Sequence, residues 1–75
     1  MDYSYLIKEL RNKMLLTQTE FAEQLGVSFG SVNRWENGRY EPTIKVKRRL
    51  KELCKEYKIN FDAFVSKTKD GENNG

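Results

Sequence analysis

Residues 16–38 read Leu-Thr-Gln-Thr-Glu-Phe-Ala-Glu-Gln-Leu-Gly-Val-Ser-Phe-Gly-Ser-Val-Asn-Arg-Trp-Glu-Asn-Gly, LTQTEFAEQLGVSFGSVNRWENG, and they carry two helix starts and two helix stops. Thr17 with Glu20 three positions on is a capping box, and Leu16 stands where it can staple to Phe21. Phe21, Ala22 and Leu25 then keep helical spacing until Gly26, a residue suited to the left-handed position after a helix. The pattern restarts at once: Ser28 is an N-cap, Val27 can staple to Val32, and Asn37-Gly38 ends the segment, with Gly38 just past it. Two short helices therefore meet at a turn centred on Gly26-Val27-Ser28. The second has only Val32 and Trp35 as clear core residues, so Phe29, Gly30, Asn33 and Arg34 face outward.

The flanks are helical too. Leu6, Ile7, Leu10 and Met14 form one apolar stripe of a preceding helix. Pro42 marks a break, Thr43 caps a fourth helix, and Val46, Leu50, Leu53, Cys54 and Tyr57 are its core positions. Asn60 caps a short fifth helix bearing Phe61, Phe64 and Val65. No stretch alternates apolar and polar residues long enough for a strand. The expectation is an all-α, five-helix domain over residues 1–66. The polar tail 67–75, KTKDGENNG, is expected to be disordered.

Seventy-five residues make one small domain, with a core too modest to be stable without tight packing. One cysteine and no histidine leave neither an internal disulfide nor a zinc site, so no metal is expected. Nothing approaches the ~18 apolar residues of a membrane span, and no signal-peptide pattern stands at the start. A cytoplasmic protein is expected. The net charge of +3 is unevenly spread: residues 26–58 carry nine basic and four acidic groups, while the segments on either side are each net −1. Such clustering fits a polyanion partner, and equally a solvated lysine-rich face.

Two short helices around a tight glycine turn form a helix-turn-helix unit. Leu16-Thr17-Gln18, Phe21-Ala22, Leu25-Gly26-Val27-Ser28, Val32, Trp35-Glu36 and Asn37-Gly38, followed by Pro42, resemble the phage-repressor/Cro-type helix-turn-helix family. The likeness extends more loosely from Leu6 to Val65. It implies a compact lambda-repressor-like fold and double-stranded DNA as partner.

The matching residues have physical reasons. Ala22 is small where two helices cross, and Gly26 allows positive φ. A third helix held along one edge can place its other edge in a major groove. The base-reading candidates are Phe29, Gly30, Asn33 and Arg34. Arg can bridge guanine O6 and N7, Asn can bridge adenine N6 and N7, and Phe29 can touch a thymine methyl. Gly30 lets the helix sit close to the bases. The competing readings are packing for Phe29, tolerance for Gly30, and phosphate contact or solvation for Asn33 and Arg34.

The resemblance also implies phosphate contacts from Gln18 at the start of the second helix, from Asn37, Arg39 and Tyr40 after the third, and from Lys45, with Ser31 either doing likewise or sitting in the helix interface. Lys47, Arg48 and Arg49 add charge nearby. Arg11 and Glu36 occupy positions that pair in the family across the first and third helices. Leu15 departs from it, since glycine is usual there, and a differently built turn is expected.

The functional expectation is a sequence-specific transcriptional regulator acting as a homodimer on a pseudo-palindromic operator, with repression as the default and a prokaryotic, nucleoid-associated or phage-like setting. The alternative is a DNA-targeting or partner-docking module, such as an antitoxin or a regulator of a neighbouring enzyme. Catalysis is not expected: no histidine, no glycine-rich phosphate loop and no cysteine with a base partner are present. No cofactor and no small-molecule ligand are implied.

Overall fold

The local signals of the chain resolve into five helices in the computed structural model, which describes residues 3–65. They are α1 (Tyr3–Met14), α2 (Gln18–Leu25), α3 (Phe29–Glu36), α4 (Ile44–Glu56) and α5 (Phe61–Val65), with no strand among the described residues. The tail expected to be disordered lies outside that range.

Each expected cap is formed. Thr17 Oγ1 accepts from the Glu20 amide at 3.1 Å, and the Glu20 carboxylate accepts from the Thr17 amide at 2.9 Å. This closes the capping box. Gly26 ends α2 at φ 72°, Ser28 caps α3 through the Ser31 amide, Thr43 caps α4, and Asn60 accepts from the Ala63 amide. Gly38 follows α3 at φ 75°.

The core is a single cluster. Leu6, Ile7 and Leu10 of α1 meet Phe21 and Ala22 of α2, Val32 and Trp35 of α3, and Val46, Leu50, Leu53 and Cys54 of α4, all buried. Helix α1 is the central member, packing against α3, α4 and α5, while α2 packs on α3. Tyr57, Phe61, Phe64 and Val65 close the periphery as partly buried residues. Tyr3, absent from the expected stripe, is buried and meets Phe61 edge to face at 6.2 Å between centroids.

The turn after α1 corrects one expectation. A differently built turn was expected at Leu15, yet Leu15 adopts the left-handed region itself, at φ 60°. Its amide donates to the Asn12 carbonyl and that of Leu16 to the Arg11 carbonyl, so the usual helix ending forms without glycine. A branched side chain in that region is strained by roughly 1–2 kcal/mol. The Leu15 side chain meanwhile stands 88% exposed.

Candidate nucleic-acid interface

Helix α3 is held along one edge. Val32, Trp35 and Glu36 are buried. On the other edge Phe29 is half exposed and Arg34 exposed, while Gly30 and Asn33 are partly exposed. The four base-reading candidates therefore lie together on the accessible side of one eight-residue helix. Asn37, Arg39 and Tyr40 continue that surface into the loop before α4, all exposed, and Lys45 is exposed in the first turn of α4.

The ion pair implied by resemblance is present. Arg11 Nε donates to Glu36 Oε2 at 2.7 Å and Nη2 to Oε1 at 3.0 Å, a bidentate pair. Arg11 Nη1 also donates to the Leu16 carbonyl at 3.1 Å, tying the turn after α1 to the same point. The Glu36 side chain is 3% exposed and that of Arg11 19%. The hydrogen bond to Glu36 raises the Arg11 pKa further above its ordinary value, so the cation is permanent.

From Glu36 a chain of amides runs toward the accessible face. Gln18 Nε2 donates to Glu36 Oε1 at 2.9 Å, Asn33 Nδ2 donates to Gln18 Oε1 at 3.3 Å, and Asn37 Nδ2 donates to Asn33 Oδ1 at 3.2 Å. A carboxylate only accepts. Glu36 thus requires the NH₂ end of Gln18, which turns the Gln18 oxygen toward Asn33 and the Asn33 oxygen toward Asn37. Gln18, expected at a phosphate, and Asn33, expected at a base, are therefore also bonded to each other and, through Gln18, to Glu36. Each keeps one N–H beyond these bonds.

Ser31 is also occupied locally: its hydroxyl lies 3.2 Å from that of Ser28, beside the α3 cap. The extra cations divide. Lys47 pairs with Glu41 at 2.8 Å and sits 5.1 Å from the Tyr3 ring, and Arg49 pairs with Glu52 at 3.2 Å. These two serve the α4 surface, while Arg48 stays exposed.

Two features of this region were invisible to spacing rules. One is the Gln18–Glu36 link, across eighteen positions. The other is the guanidinium of Arg34 over the Tyr40 ring at 5.8 Å. Among the described residues, no three His, Cys, Asp or Glu side chains gather to hold a metal ion, and no helix is long and apolar enough to cross a membrane.

Comparison with known proteins agrees with this geometry. Residues 7–64 match the family model described as Helix-turn-helix. The chain is 42% identical over 62 residues to the ImmF control region 10 kDa protein of Bacillus phage phi105, covering 83% of this chain and 63% of that protein. It is 32% identical over 66 residues to the HTH-type transcriptional activator BcrR of Enterococcus faecalis, covering 88% of this chain and 31% of that protein. The chain thus spans under two thirds of either relative. No solved structure matches at comparable significance.

Proposed function

Since the chain belongs to the helix-turn-helix family of Cro/C1 type, we propose that it is a transcriptional regulator that binds double-stranded DNA and reads the major groove with α3. The carrying observation is the one-edged burial of α3, which leaves Phe29, Gly30, Asn33 and Arg34 on its accessible side, continuous with Asn37, Arg39 and Tyr40. An α-helix fits the major groove, and Arg and Asn there can discriminate bases by about 1–3 kcal/mol per good pair. Gln18, Asn37, Arg39, Tyr40 and Lys45 flank that helix and contact phosphates, fixing its register. Ser31 contributes mainly through the cap it shares with Ser28.

The role is binding, not catalysis. A helix of eight residues reads few bases, so the functional unit is a homodimer on a pseudo-palindromic site, its half-sites spaced by about one turn of DNA or a multiple. Repression follows from occupying such a site in the cytoplasm, on chromosomal or phage DNA. The relatives include both a transcriptional activator and a control-region protein, which supports regulation as the common theme.

The test is selection of bound sites from random duplexes, followed by affinity against salt. The expected result is an enriched two-fold motif and a log–log salt slope of about −0.9 per phosphate neutralised. Arg34→Ala should relax preference at one base position. Equal, negligible retention of every duplex at low ionic strength would overturn the proposal.

A further inference from the structure

Arg34 is not a loose side chain on the accessible face. Its guanidinium carbon lies 5.8 Å from the centre of the Tyr40 ring, a cation–π distance. The guanidinium also lies near Gly30, four residues earlier on the same helix. A Cβ on Gly30 would stand 3.5 Å from Arg34 Nη1 and 3.9 Å from Nη2. Ser31, Arg34, Trp35, Tyr40 and Thr43 line an open hollow of about 440 Å³ beside this contact. Both Arg34 and Tyr40 remain exposed, so the fork of the guanidinium is accessible from outside.

We infer that Tyr40 is a positioning residue for base discrimination: its ring holds the Arg34 fork in place beside the first turn of α3 before DNA arrives. The inference rests on the reading of α3 as the base-reading helix, and it assigns to Tyr40 a role beyond phosphate contact. The physical ground is entropy. An unrestrained arginine gives up much rotamer freedom when it makes a bidentate contact, and prior seating reduces that loss. The ring face performs this task, not the hydroxyl. Tyr40 comes from the loop after α3, so the loop acts on specificity without itself touching a base.

The two roles of Tyr40 separate by substitution. Tyr40→Phe keeps the ring and removes the hydroxyl, whereas Tyr40→Leu removes the ring. Tyr40 is 63% exposed, so neither change threatens the core, and a thermal melt verifies folding. The full chain is measured by competition between its selected duplex and duplexes changed at one base pair. Tyr40→Leu is expected to lower discrimination about threefold at the one position that Arg34→Ala relaxes, and to leave the other positions unchanged. Tyr40→Phe should discriminate as the parent does, and Tyr40→Leu should have no further effect on discrimination in an Arg34→Ala background. For Tyr40→Leu, loss of affinity by the same factor on all duplexes with discrimination unchanged would overturn the inference, as would an equal loss of discrimination in Tyr40→Phe, since the first leaves Tyr40 a backbone contact only and the second assigns the effect to its hydroxyl. A parent chain that holds all duplexes equally would instead sink the DNA-reading proposal itself.

Discussion

Two positions show how backbone conformation and side-chain identity trade against each other. Leu15 occupies the left-handed region at φ 60° with its side chain in solvent. Glycine there relieves roughly 1–2 kcal/mol of strain and returns about 0.4–1 kcal/mol through the entropy of the unfolded chain. Leu15→Gly should therefore stabilise the protein by up to about 1 kcal/mol, read as a higher urea midpoint with an unchanged slope. Gly30 is the converse case. It is a helical residue with no need of positive φ, and an added methyl meets Arg34 only at ordinary contact distance. Gly30→Ala should raise stability by about 0.5–1 kcal/mol, again by urea titration. If the helix packs closely on bases at this point, the same change should weaken specific binding. Of these two residues, Gly30 was legible in the sequence as an outward position. The conformation of Leu15 was not, because only the packing of α1 and α2 decides which strain is tolerated between them.

The helices themselves were the most legible part of the molecule. Thr17, Gly26, Ser28, Thr43 and Asn60 act within one turn of their own position, so their caps could be read without knowing the fold. Tyr3 and the Gln18–Glu36 bond depend on how separate helices dock, and no periodicity announces them. The docking of α1 on α3 centres on Arg11 and Glu36, which differ sharply in exposure. Arg11→Met leaves a carboxylate that is 3% exposed with only the Gln18 donor, and this should cost about 3–5 kcal/mol. Glu36→Leu leaves an arginine that reaches water, and its cost should be smaller. The double change should cost less than the sum of the two, which a double-mutant cycle in urea measures directly.

The small size of the chain concentrates its stability in one core, and Cys54 gives a way to probe that core with pH. Burial pushes the Cys54 thiol up to about 11 from 9.0. Below pH 9 it is protonated both folded and unfolded, and its contribution is fully present. Above pH 9 the unfolded chain loses the proton while the folded chain keeps it until about 11, so stability falls as pH rises through that window. The melting temperature should decline more steeply between pH 9 and 11 in the parent than in Cys54→Ala, which itself melts lower at every pH. The overall fold was legible because this core is built from helical stripes. The candidate interface was legible only as a set of outward residues. Its internal wiring depends on contacts among α1, α2, α3 and the loop that follows.

That wiring runs from α1 through the start of α2 to the end of α3. Arg11 belongs to the helix farthest in role from any base, yet it anchors the carboxylate that decides which end of each amide points where. If Glu36 became a neutral amide, it could donate as well as accept, and the order of donors and acceptors from Gln18 to Asn33 would no longer be imposed by a carboxylate. On the proposed reading of α3, the face that Asn33 offers a duplex is thus set from behind, and an injury to α1 would disturb it while the helix that carries it stays intact.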